Sequence, residues 1–158
     1  MIAAITGHRP NKLGNEYDLV GPYTNFVKKN IFEWLDENKP EKIISGMALG
    51  VDQIWAICGI RMSIPVMAAI PCAGQESKWP QKSIDLYNNI LNSKLVEKHF
   101  ISSGRYTSDC MQNRNEWMVN NCNVLIAVWD GSSGGTANCV KYAESIGKDI
   151  FRIDIRNM

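Results

Sequence analysis

The residues of this sequence best suited to chemistry gather around short glycine breaks. In Asp130-Gly131-Ser132-Ser133-Gly134-Gly135-Thr136, three glycines let the backbone turn sharply and bring its N–H groups close to a ligand. The apolar run Val124 to Trp129 precedes this turn, and Thr136 opens a helical pattern. A strand, a glycine turn and a helix N-terminus put unpaired amides and the positive end of a helix dipole where a phosphate would sit. The same turn also serves as a plain strand-to-helix connection. Thr6-Gly7-His8-Arg9-Pro10 ends the first apolar run. Arg9 offers a planar fork of donors for phosphate or carboxylate, Thr6 a hydroxyl, and His8 a ring that titrates near neutrality. The competing reading has His8 capping a turn and Arg9 pairing with a surface carboxylate.

Two further groups complete the set. Ser45-Gly46-Met47-Ala48-Leu49-Gly50-Val51-Asp52 repeats the strand–glycine–helix device. Asp52 either satisfies amides at the helix start or accepts hydrogen bonds from ribose hydroxyls, and one carboxylate suits both roles. Arg114 shares a helical stripe with Met111 and Met118. An arginine on an apolar stripe either snorkels to solvent or meets an anion in a pocket, and the pocket is the favoured reading. Glu116 falls elsewhere on that helix and reads as solvated. Trp34 and Trp55 read as core, whereas Trp79, in a polar loop, and Trp129, next to the glycine turn, are placed to stack on a base, with core the favoured reading for Trp129.

Periodicity supplies the elements that must position these groups. Strands are expected over 1–6, 42–45, 64–70, 95–101, 124–129 and 149–155, the fourth weakened by Glu97, Lys98 and His99. Helices are expected over 20–37, from Val51 to Met62, from Pro80 to Leu91, after Asp109 as N-cap through Cys122, and from Thr136 to Gly147. Residues 11–19 read as an exposed loop. Strands alternating with helices predict an α/β fold: a doubly wound, mostly parallel sheet with helices on both faces, as a single domain over 1–158. Each glycine break lies at the carboxyl end of a strand, where such sheets bind ligands, so the breaks are expected to converge on one crevice.

Composition narrows the function. The chain has 158 residues, 45% of them hydrophobic, which suits one substantial core. A net charge of +1 argues against a dedicated electrostatic nucleic-acid binder and leaves room only for a local basic patch. No apolar run approaches the roughly 20 residues of a membrane span, and the start MIAAITGHRP lacks a basic leader, so a cytoplasmic protein is expected. Five scattered cysteines without a Cys-x-x-Cys pair point to reduced, buried thiols. Two distant histidines suggest no metal site, and nothing calls for a cofactor.

In order along the chain, TGHRP, SGMALGVDQIWA, GQESKW, MQNRNEWMVNNCNVLIAVWDG and SGGTANCVKYA resemble the SLOG superfamily of Rossmann-like nucleotide-binding proteins, and within it the YpsA-like branch of bacterial and phage proteins. SGMALGVD is similar to the SGxAxGID segment of DprA, a single-strand DNA-loading protein of that superfamily. MQNRN followed by a strand and SGGT resembles the MHxRK and PGGxGTxxE pattern of the Lonely Guy phosphoribohydrolases, which cleave the N-glycosidic bond of nucleoside 5′-monophosphates. Arg114 matches their catalytic arginine, but Asn115 stands where they carry lysine. Their glutamates fall at or next to Asn138 and Cys139, neither acidic, and neither Asp130 nor Asp52 matches the family position. The resemblance therefore implies a protein that binds a small phosphorylated nucleotide or ADP-ribose-like ligand, as a sensor or sequestering protein. The alternatives it leaves are a nucleotide N-glycosidase and a DprA-like single-strand DNA binder. It also implies a homo-oligomer. The expected ligand residues are Thr6, Gly7, His8, Arg9, Gly46, Gly50, Asp52, Arg114, Asp130, Gly131, Gly134, Gly135 and Thr136.

Overall fold

The computed structural model describes residues 1–158. Six strands form one parallel sheet: β1 (Ile2–Gly7), β2 (Lys42–Ser45), β3 (Val66–Ile70), β4 (Val96–Phe100), β5 (Val124–Val128) and β6 (Asp149–Ile153). Their order is β4-β3-β2-β1-β5-β6. The chain winds outward from β1 through β2 and β3 to β4, then crosses back to place β5 on the other side of β1. That reversal opens a crevice beyond the carboxyl ends of β1 and β5. Register there is fixed by Thr6 opposite Ala127 and Gly7 opposite Val128.

Five helices cover the sheet: α1 (Pro22–Asn38), α2 (Val51–Arg61), α3 (Gln81–Leu91), α4 (Cys110–Asn120) and α5 (Gly135–Ser145). Alternation along the strands sends neighbouring side chains to opposite faces. Ala3, Ile5, Ile43 and Ile126 meet Val27 and Ile31 of α1, Ile54 and Trp55 of α2, and Tyr87 and Ile90 of α3. Ala4, Ile44 and Leu125 meet Met118 and Val119 of α4 and Cys139 and Ala143 of α5. The sheet is doubly wound, as its strand and helix alternation predicts. Burial of each large aliphatic side chain contributes about 1.5–3 kcal/mol, so both faces are firmly held.

Several boundaries differ from the sequence reading. The loop before α1 is not simply exposed: Leu13 and Leu19 are buried, and Pro10–Lys12 forms a short 3-10 turn. Glu16 explains its path, accepting hydrogen bonds from the amides of Tyr23 (3.1 Å) and Thr24 (2.8 Å) at the start of α1. Asp109 stands at the N-cap of α4 but its side chain makes no capping bond. Helix α5 stops at Ser145, and Gly147, with φ +71°, turns the chain towards β6 rather than extending the helix. Cys122 likewise lies beyond α4, buried against the same face. The charges of β4 are explained by its place as an edge strand, where Glu97, Lys98 and His99 are exposed. All five cysteines are free and buried, and no helix is long and apolar enough to cross a membrane.

Candidate functional site

A polar cavity of about 230 Å³ occupies the crevice at the reversal. From the end of β1 it takes Thr6, Gly7, His8 and Arg9, and from the start of α2 it takes Asp52. Arg114 enters from α4, while Gly134, Gly135 and Thr136 form the opening of α5. Arg9, Arg114 and Gly135 thus share one hollow, although they lie more than a hundred residues apart at the extremes.

The glycines after β5 leave the α5 end open. Gly131 and Gly134 take φ values of +88° and +138°, which other residues avoid. An added Cβ would meet nothing within 4 Å at Gly131, Gly134 or Gly135. Gly134 caps the helix without any side-chain hydrogen bond, so the first-turn amides of α5 are free to face a ligand. Their partial positive charge adds to the nearby cations.

Arg114 is 4% exposed, which settles its stripe in favour of the interior. Its Nη1 donates to the Gly46 carbonyl at 2.6 Å, Nε to Asn115 Oδ1 at 2.9 Å, and Nη2 to Met111 Sδ at 3.8 Å. Burial lowers its pKa from the ordinary value, with the charge of Asp52 acting the other way. Asp52 is pushed up by the same burial, opposed by Arg114 and by the Ala48 amide, which donates to Asp52 Oδ2 at 3.2 Å. Asp52 therefore secures one amide, that of Ala48 in the loop before its helix, and also lines the cavity. Arg9 is exposed and takes part in none of the chain's ion pairs, so it is not spent on a surface carboxylate.

His8 does cap a turn. Its Nε2 lies 3.0 Å from Asp130 Oδ1 and 3.2 Å from the Asp130 amide nitrogen. In a neutral ring Nε2 either accepts from that amide or, as N–H, donates to that carboxylate, so Asp130 has a partner for His8 in either tautomer. Burial lowers the His8 pKa, outweighing Asp130, so the ring is neutral at pH 7. The hydroxyl and amide of Ser132 hold Asp130 well below the usual carboxylate range. Lys12 donates to Ser132 Oγ at 2.8 Å, and the Trp129 indole to the Ser132 carbonyl at 2.7 Å. Trp129 is thus a clasp on the turn rather than a stacking surface.

Four expected ligand residues lie outside the cavity wall: Gly46, Gly50, Asp130 and Gly131. Asp130 is turned to His8 and Ser132, as described. A Cβ on Gly46 would overlap the Arg114 guanidinium, so that glycine makes room for the arginine. Gly50, at φ +88°, brings its backbone against the His8 carbonyl. Asn11, Lys12, Ala48, Asn115, Ser132 and Ser133 line the cavity although the sequence alone does not single them out. Lys12 follows Pro10 within the 3-10 turn, and that local turn is the signal that would have brought it in. Glu116, expected to be solvated, is half-buried and accepts from Gln112 Nε2 at 3.1 Å.

Comparison with known proteins places this architecture. A family model described as DNA recombination-mediator protein A matches residues 20–157. The chain belongs to that family. Among curated proteins, this member is 28% identical over 140 residues to an uncharacterized SPβ prophage-derived protein, YoqJ, of Bacillus subtilis (strain 168), covering 78% of this chain and 82% of that one. Its fold is shared by DprA from Streptococcus pneumoniae, with a TM-score of 0.67 and 20% identity, covering 95% of this chain and 49% of that chain. DprA from Helicobacter pylori, solved for its single-stranded DNA binding mode, gives a TM-score of 0.68 and 20% identity, covering 99% of this chain and 70% of that one. TM1055 gives 0.59 and 15%, covering 94% and 71%. The present chain therefore spans about half the length of the pneumococcal DprA. The SLOG resemblance and its Rossmann-like fold stand on these matches together.

Proposed function

We propose that the cavity holds the phosphate of a small phosphorylated nucleotide or ADP-ribose-like molecule, and that the protein acts as a sensor or sequestering protein. The observation that carries this reading is the open glycine turn at the start of α5 facing Arg9, Lys12 and Arg114 across one hollow. Phosphate oxygens accept from the amides of Gly134 and Gly135 and from the Thr136 hydroxyl, while the three cations outweigh the single carboxylate, Asp52. A sequestering role fits the positions where the hydrolase pattern requires acid. Asn138 is exposed, and Cys139 is buried, its thiol pushed up to about 12. Neither of these two positions carries a carboxylate to stabilise an oxocarbenium-like state. The test is calorimetric titration of nucleoside 5′-monophosphates and ADP-ribose, with chromatography of the mixtures over hours. Binding at micromolar Kd without free base is expected. Free base whose release stops in Arg114→Ala would assign the protein to the hydrolases instead.

A second reading is single-stranded nucleic acid, which the single-stranded DNA binding of the Helicobacter pylori DprA favours. It runs against the expectation that nucleic acid is not a partner, and the two share one phosphate chemistry. An oligonucleotide gel shift that weakens steeply between about 50 and 200 mM salt would support it, because each phosphate neutralised releases counterions. A homo-oligomer remains part of the proposal and is read from the mass in solution.

A further inference from the structure

Asp52 brings the only carboxylate to the wall of the polar cavity, and its two oxygens stand in different settings. The residue is 6% exposed. Oδ2 accepts from the Ala48 amide at 3.2 Å, whereas Oδ1 accepts from no group of the protein. The fully enclosed side-chain atoms without a partner are Gln53 Nε2 and Gln75 Oε1. Oδ1 is not among them, so it is open to the space that Asp52 lines.

The nearby cations act on this carboxyl without bonding to it. Arg114, from α4, gives Nη1 to the Gly46 carbonyl, Nε to Asn115 Oδ1 and Nη2 to Met111 Sδ. Arg9, from the end of β1, is exposed, and neither arginine forms an ion pair with Asp52. Lys12, from the 3-10 turn, donates to Ser132 Oγ. The other titratable groups around it carry no charge at neutral pH. His8 is turned to Asp130, and the Cys139 thiol of α5 is pushed up to about 12. Burial raises the Asp52 pKa against the opposing pull of Arg114, the Ala48 amide and Arg9.

A free carboxyl oxygen inside an anion site has two states. Ionised, it repels a phosphate oxygen; protonated, it donates to one. Two anionic oxygens at hydrogen-bonding distance do not both stay ionised, and one proton between them turns the repulsion into a charge-assisted hydrogen bond. We propose that Asp52 Oδ1 and an oxygen of the guest phosphate share one proton, so that the site captures phosphate together with a proton and releases both as the pH rises. The inference rests on the phosphate reading of this cavity. It sets Asp52 at the phosphate end of the guest and not at a ribose, because a carboxylate accepting from sugar hydroxyls moves no proton. Above pH 7 a phosphate monoester, with its second pKa at about 6, is mostly the dianion, so the shared proton comes from solvent or from the Asp52 carboxyl.

Calorimetry with ribose 5-phosphate and adenosine 5′-monophosphate between pH 7 and 8.5, in buffers of different ionisation enthalpy, counts the protons. About one proton should enter per phosphate bound, and Kd should rise about 10-fold per pH unit. Asp52→Asn is the matched variant, since its carbonyl still accepts from the Ala48 amide and its Nδ2 donates into the cavity. It should bind with no proton uptake and with a Kd that hardly changes over the same range. Melting temperature checks its folding, and Asp52→Ser takes its place should the amide variant unfold. Wild-type binding without proton uptake, or uptake that persists in the variant, overturns the shared proton and leaves the phosphate reading standing. If neither phosphate binds at any pH, both fall together.

Discussion

The turn after β2 and the turn after β5 look alike as sequence and do different work as structure. Both carry glycines between a buried strand and a helix. After β5, Gly131, Gly134 and Gly135 border open space, and two of them line or flank the cavity with nothing within 4 Å of an added Cβ. After β2, the same residue type is packed against the protein itself. A Cβ on Gly46 would strike the Arg114 guanidinium, and one on Gly50 would lie 2.7 Å from the His8 carbonyl oxygen. The left-handed residue beside Gly46 is not a glycine but Met47, at φ +60° and fully buried. One turn borders open space. The other uses Gly46 to seat Arg114 and Gly50 to bring the chain against the His8 carbonyl.

Substitution can break this contrast. The largest effect is expected for Gly50→Ala, where a positive φ and a backbone overlap combine. Strain of about 1–3 kcal/mol adds to overpacking of similar size, lowering the melting temperature by roughly 5–15 °C. Gly46→Ala should cost about 1–3 kcal/mol, because the arginine must leave the Gly46 carbonyl. Gly135→Ala inverts the pattern: stability should hold within about 0.5 kcal/mol, while phosphate-ligand affinity falls about 10-fold as the methyl enters the ligand's space. Urea denaturation and calorimetry on the three variants check both halves. Equal destabilisation at all three glycines would remove the distinction.

The smallest effect concerns His8, which ties the two turns together through Asp130. Its folded-state pKa lies below the ordinary value of 6.5, so its contribution to stability is complete above pH 6.5 and is lost as the pH falls through the lower folded value. Asp130, also depressed, adds a second loss at more acid pH, below 3.8. Urea midpoints should therefore decline from pH 7.5 to 5.5 in the wild type and less so in His8→Gln. A steeper decline in the variant would contradict the neutral ring.

Strand and helix alternation made the sheet legible, because buried parallel strands such as Val124–Val128 read as apolar runs and Pro80 marks a helix start. The convergence of Arg9 and the α5 turn was legible for the same reason, since strand ends in a doubly wound sheet share one edge, whereas Arg114 was legible as the one cation on the Met111 and Met118 stripe of α4. The function of Gly46 was not, since its reason is a side chain contributed 68 residues later. Lys12 has no periodicity to mark it, and only the turn that begins at Pro10 carries it to the cavity. Leu13 and Leu19 read as exposed because irregular backbone carries no pattern that distinguishes an inward leucine from an outward one.

The central claim is that amides at the start of α5 and the cations opposite them receive one phosphate group. The most direct measurement is an amide and arginine-side-chain NMR titration of the intact protein with inorganic phosphate, using sulfate-free buffer at constant ionic strength. Shifts concentrated at Gly134, Gly135, Thr136 and the Arg9 and Arg114 side chains, saturating with one midpoint, are the expected result. Shifts absent from that group, or spread evenly over surface lysines elsewhere, would contradict it.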